Sequence, residues 1–167
     1  MLLAPATAAT AASGLAARPV GPDADFLIAA HQANLTQIRV GRIAARKAGT
    51  GAVRDLGRQF ATYHRKLDVQ VRKAAGALGV RLPSEPNSEQ LTLIQQYRTA
   101  PATELDRLFV DSQLLAHQHA LKLVRIVLKV GTEPAVRQIV TAAAPVVQKH
   151  YAALVSAQQR IGGAAEQ

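Results

Sequence analysis

Five histidines, His31, His64, His117, His119 and His150, are the side chains of this 167-residue chain best fitted to chemistry. Imidazole titrates near neutrality and, when neutral, is a good ligand for borderline metals. Their spacing is regular: 33 residues separate His31 from His64, and 33 separate His117 from His150. Ala30-His31-Gln32 returns as Ala116-His117-Gln118, and the word GTGAVR at 49–54 returns as GTEPAVR at 131–137. If Gly49-Thr50 and Gly131-Thr132 are turns between helices, depth can be counted outward from them at ~1.5 Å per residue. Gln37 lies 13 residues before Thr50 and His64 lies 14 after it. His117 and His150 are likewise about level across the second turn. Gln37, His64, His117 and His150 therefore come from four helices into one layer. His31 lies over a turn further out, and His119 points about 200° away from His117 on a helix. Neither belongs to the set.

Three neutral imidazoles with an open position suit zinc, copper or another divalent transition ion, with Gln37 as a neutral oxygen on the fourth side. A di-iron centre is a poor fit, because it requires bridging carboxylates and Glu-x-x-His pairs. No Glu lies on the apolar stripe of a long helix, and Asp68 and Asp111 are expected to face water or a helix end. The same four residues also read as a polar core in which histidines bond to one another, to Gln37, to Tyr63 or to Tyr151. Nothing nominates a catalytic residue: there is no Cys, no G-x-S-x-G word and no phosphate loop, and Ser112 neighbours His117 only in sequence.

The elements that must position these residues follow from apolar periodicity. Leu105–Leu128 is the most apolar long stretch, with Val110, Leu114, His117, Leu121, Val124 and Leu128 on one face. A second stripe beside it, Leu105, Leu108, Ser112, Leu115, His119, Leu123, Ile126 and Val130, widens the arc so far that partners are expected on more than one side. Helices are predicted over 24–48, with Asp23 or Asp25 as cap, and over 51–78, with the heptad Val53, Leu56, Phe60, His64, Leu67, Val71, Ala74, Leu78. Pro83, Pro86 and Pro101 bracket a short helix at 88–98, capped by Ser88 with Leu91, Ile94 and Tyr97 inward. Helices at 103–130 and 133–160 follow, with Pro134 at a first helical position and Pro145 as a kink. The predicted fold is all-α: a ferritin-like four-helix bundle of two helical hairpins with a long crossover containing a short helix. Residues 1–22 read as a flexible Ala-rich segment, 23–161 as the bundle domain, and 162–167 as a frayed tail.

Composition bounds the partners. Twenty Lys and Arg against eleven Asp and Glu give a formal charge of +9. The cations are spread over all the helices without aromatic interleaving, which argues against nucleic acid and leaves an anionic surface or envelope component as the candidate contact. No apolar run reaches the ~20 residues of a transmembrane helix. MLLAPATAATA resembles the end of a secretory signal with small residues at a cleavage site, so an extracytoplasmic location is expected.

The words DADFLIAAHQANLTQIRVGRIAARKA, FATYHRKLDVQVRKAAGALGVRLP, LDRLFVDSQLLAHQHALKLV and APVVQKHYAAL, in that order, resemble the bacterial domain-of-unknown-function family 4142. The resemblance runs from about Asp23 to Ala157 and implies an exported or envelope-associated ferritin-like bundle, of the kind labelled outer-membrane protein. It places the family's histidines on His64, His117 and His150. Where the family usually has Glu in the first helix this chain has Gln37, and where it often has an acid before the second-helix histidine this chain has Tyr63. Both departures remove negative charge. Two readings stand at this point: a histidine-lined layer that holds a divalent metal, or a basic envelope interaction protein with a purely structural histidine core.

Overall fold

A computed structural model describes residues 21–164, which form five helices and, among the described residues, no strand. They are α1 (Pro22–Lys47), α2 (Gly51–Ala77), α3 (Ser88–Thr99), α4 (Ala102–Val130) and α5 (Pro134–Ala164). The all-α expectation holds. Of the segments expected at 1–22 and 162–167, residues 1–20 and 165–167 lie outside the described residues.

The helices pair as two hairpins. α1 packs along α2 and α4 along α5, while α1 also meets α4 and α2 meets α5. Each hairpin turns at a Gly-Thr pair, and each turn is clamped from the other hairpin. Asp106, in the first turns of α4, accepts the amides of Gly49 and Thr50 at 2.9 and 2.8 Å. Asp23, in the first turn of α1, accepts the amides of Thr132 and Glu133 at 2.8 and 3.2 Å and the Thr132 hydroxyl at 3.1 Å. The repeated Val-Arg of the two turn words finishes the job from the other side. Arg54 donates to the carbonyls of Ala48 and Gly49, and Arg137 to those of Leu128 and Gly131. These carbonyls end helices and would otherwise lack partners. Glycine is required here by space: a Cβ on Gly131 would stand 2.8 Å from Asp23 Oδ1 and 2.6 Å from the Val127 carbonyl oxygen.

Within the first hairpin α1 and α2 touch backbone to backbone. A Cβ on Gly41 would lie 2.7 Å from the Gly57 carbonyl oxygen, and one on Gly57 would lie 2.7 Å from that of Gly41. Two turns from this crossing, the same pair of helices exchanges polar side chains across the core.

Apolar side chains fall into two clusters rather than one. At the α1–α2 turn end, Val40, Ala44, Val53, Phe60, Ile94, Tyr97, Leu105, Phe109 and Leu154 pack together. At the α4–α5 turn end, Phe26, Leu27, Val71, Val124, Val127, Val136 and Val140 do so. Most of the buried polar side chains, His31, Asn34, Gln37, His64, Asp68, His117 and His150, lie between them.

Five expectations are corrected. Asp23 does not cap α1, whose N-cap is Gly21 with no side-chain bond; its carboxylate is committed to the far turn instead. The cap of α3 is Asn87, which closes a reciprocal box with Gln90, so Ser88 falls inside the helix. Leu91 faces solvent, while Ile94 and Tyr97 point inward as expected. Asp68 is buried, at 6% exposure, because His31 and Arg72 receive its charge. α5 holds Pro145 in its interior, as expected, but runs past the expected end at 160 to Ala164.

The wide apolar arc of α4 is covered only in part. α3 lies over its first turns, where the Tyr97 and Phe109 rings meet edge to face at 6.3 Å. Further along, Leu115, Ile126 and Val130 remain exposed.

Candidate metal centre

His64 comes from α2, His117 from α4 and His150 from α5, all three buried. Each offers a ring nitrogen, and these three nitrogens lie within 4.8 Å of one another. His117 Nε2 is 3.4 Å from His150 Nδ1, and the His64 ring centroid stands 6.2 and 6.4 Å from theirs. The layer predicted by counting from the turns therefore forms.

Hydrogen bonds to groups outside the cluster set the tautomer of two of the rings. His117 Nδ1 meets the Gln113 carbonyl at 2.8 Å, one helical turn back, and a carbonyl can only accept; the proton is on Nδ1, and the Nε2 lone pair accepts from His150 Nδ1 at 3.4 Å. His64 Nδ1 meets Asn34 Oδ1 of α1 at 2.8 Å, again an acceptor, so Nε2 carries the lone pair. That His64 Nε2 is buried and has no hydrogen-bond partner. Orienting a ring by a bond to its second nitrogen is how metal-ligating histidines are commonly set.

Aromatic rings enclose the cluster on the side of the first apolar core. Phe60 packs on His150 at 4.4 Å and on His117 at 5.0 Å, backed by Phe109. Tyr63 sets its ring at right angles to His150, at 5.2 Å, and edge-on to His64. Burial pushes the Tyr63 hydroxyl pKa up, so it stays protonated.

Electrostatics keeps the imidazoles neutral. His64 is lowered to about 3, first by burial and then by repulsion from His117 and His150. His150 is lowered to about 4 by burial, by His117 and by Lys149. His117 is lowered by burial, against the pull of the Gln113 carbonyl. At neutral pH all three are uncharged, each with one N–H and one lone pair.

Gln37 reaches the same level on the fourth helix. α1 and α4 run antiparallel between the Asp23–Thr132 and Asp106–Gly49 clamps, and Gln37 and His117 both fall about halfway between them. Gln37 is buried, and its Oε1 has no hydrogen-bond partner. His31 and His119 stay out, as expected: His119 is exposed, and His31 bonds Asp68 through Nδ1 at 2.6 Å. Sequence reasoning missed Asn34 and Asp68. The available signal was position, since Asn34 follows His31, and Asp68 follows His64, by about one turn on the buried faces of α1 and α2. Ser112, beside the cluster in sequence, is bonded instead to the Tyr97 hydroxyl at 2.7 Å.

Fold and centre together define an all-α protein with a buried cluster of three neutral histidines. The chain belongs to the family described as domain of unknown function DUF4142, whose model matches residues 4–156. The match begins well before the Asp23 at which the resemblance in the motifs begins. Comparison with curated proteins and with solved structures gave no match.

Proposed function

We propose that this protein binds one divalent transition ion, zinc or copper, through His64, His117 and His150, with Gln37 supplying a neutral oxygen on the fourth side. The observation that carries this reading is the lone pair of His64 Nε2, buried beside the other two imidazoles with no hydrogen-bond partner. Two nitrogens on a tetrahedral ion with ~2.0–2.1 Å bonds stand about 3.4 Å apart. His117 Nε2 and His150 Nδ1 are 3.4 Å apart. The third nitrogen, within 4.8 Å of the others, has to close in by up to about 1.4 Å to reach the same spacing. The donor set has no carboxylate, which favours a single borderline ion over a di-iron pair.

A purely structural histidine core is the competing reading. It would be expected to close its hydrogen bonds, and it leaves His64 Nε2 and Gln37 Oε1 without a role. Two hairpins with a long crossover also support kinship with ferritin-like bundles. An extracytoplasmic location is the reading of the leader-like MLLAPATAATA, and cell fractionation tests it.

The deciding experiment is elemental analysis of untagged protein followed by melting with zinc, copper or EDTA. Binding to the folded state alone adds about 2.7 kcal/mol of stability when the free ion stands at about a hundred times Kd. A stoichiometric ion whose removal lowers Tm, and which His150→Ala no longer retains, is the expected result. Absence of both the ion and the shift would make the layer structural.

A further inference from the structure

The exposed face of α4 is the feature that neither the fold nor the histidine cluster uses. Leu115 and Ile126 are each 54% exposed and Val130 is 46% exposed, and they fall on one line of the helix with His119 and Lys122 between them. Lys122, Arg125 and Lys129 run alongside that line and are also exposed. No acidic residue occurs between Asp111 and Glu133, and none occurs in α5. The stretch from Leu115 to Val130 is about 22 Å long at ~1.5 Å per residue. None of its cations forms a salt bridge among the described residues.

We propose that this face of α4 docks on the surface of an anionic phospholipid bilayer. Leu115, Ile126 and Val130 would enter at the headgroup level, and Lys122, Arg125 and Lys129 would meet lipid phosphates. Charge complementarity decides between occupants. A second copy applied to the same face would set these three cations against their own counterparts, and a nucleic acid has no use for the apolar line between them. Among the described residues no helix is long and apolar enough to cross a membrane, and the proposed contact is a peripheral one. The proposal does not rest on the metal reading.

Co-sedimentation of the full chain with vesicles tests it. Vesicles of equal parts phosphatidylcholine and phosphatidylglycerol should retain the protein; phosphatidylcholine alone should retain it at least about tenfold less. Leu115→Asp with Ile126→Asp, and separately Lys122→Gln with Lys129→Gln, should each weaken retention by about tenfold or more. Val69→Asp, at an equally exposed apolar position on α2, should not. All of these positions are exposed, so an unchanged helical spectrum and melt certify the variants. The proposal is overturned if anionic vesicles fail to retain the protein. It is overturned if Val69→Asp weakens retention as much as the α4 pair, which would mark diffuse adsorption of a +9 chain. It is also overturned if sedimentation shows a lipid-free dimer that Ile126→Asp dissociates, since a second copy then covers the face.

Discussion

Asn34 decides which nitrogen of His64 is free. Its side-chain oxygen accepts from Nδ1, so the Nε2 lone pair faces the other two imidazoles. Asn34→Leu keeps the bulk and removes the acceptor; metal affinity is expected to fall about 10–100-fold, the range for loss of such an orienting bond. Zinc competition against a chromophoric chelator measures this, and an unchanged Kd would show that Asn34 does not set the ring. Gln37 makes the opposite experiment. Its buried carbonyl oxygen has no partner, so Gln37→Leu removes an unsatisfied acceptor and should raise the melting temperature of the metal-free protein while lowering metal affinity. A structural Gln would give a lower melting temperature and no change in metal binding. The pairing of the two effects in opposite directions marks a residue kept for a ligand.

Between elements, the two Gly-Thr turns and their Asp clamps act as mirror-related fasteners at opposite ends of the molecule. Asp106→Ala strips the Gly49 and Thr50 amides of a charged acceptor and should destabilise by about 2 kcal/mol, from hydrogen bonds to a charged group. Asp23→Ala should do likewise at the other end, and the double variant should show the sum, because the two clamps share no partner. Urea midpoints give all three values, and strong non-additivity would contradict independent fasteners. At the Gly41–Gly57 crossing, an added methyl meets backbone that cannot rotate away, so Gly57→Ala should cost about 1–3 kcal/mol by overpacking. How these elements appear in the sequence is uneven. The helices and turns are legible because Gly, Pro and the repeated turn words punctuate the apolar periodicity. The level of His64, His117 and His150 is legible because a helix is a ruler. The clamps are not, since Asp23 meets Thr132 across 109 residues and nothing local marks the partner. Burial of Asp68 is hidden for the same reason: a lone carboxylate on a basic helix reads as surface until His31 is seen opposite it. The cover over α4 is hidden too, because α3 is short and reaches only the first turns of α4, which leaves Leu115, Ile126 and Val130 exposed.

At the scale of the whole molecule, a polar layer interrupts what would otherwise be one core, and that layer sets the response to acid. His64 and His150 are lowered in the folded protein to about 3 and about 4, and His117 is lowered as well, against a reference of 6.5 when exposed. Below 6.5 the unfolded chain takes up protons that the folded chain refuses, so unfolding is favoured as pH falls. The loss proceeds at up to about 1.4 kcal/mol per pH unit for each proton involved, through the interval from about 6.5 down to the folded values. Above that interval these histidines contribute no slope. Urea unfolding of EDTA-treated protein across this range should show the midpoint falling steadily on the acid side and flat on the neutral side. The variant His64→Leu/His117→Leu/His150→Leu joins the two apolar clusters and removes the titrating groups. It should be flatter through the same interval and, like other buried polar clusters replaced by apolar side chains, no less stable at neutral pH. Equal slopes for the two proteins would assign the acid response to groups outside this layer. A flat, stable variant that no longer takes up metal would separate the layer's two effects, since the fold would then stand without the histidines and only the ion would need them.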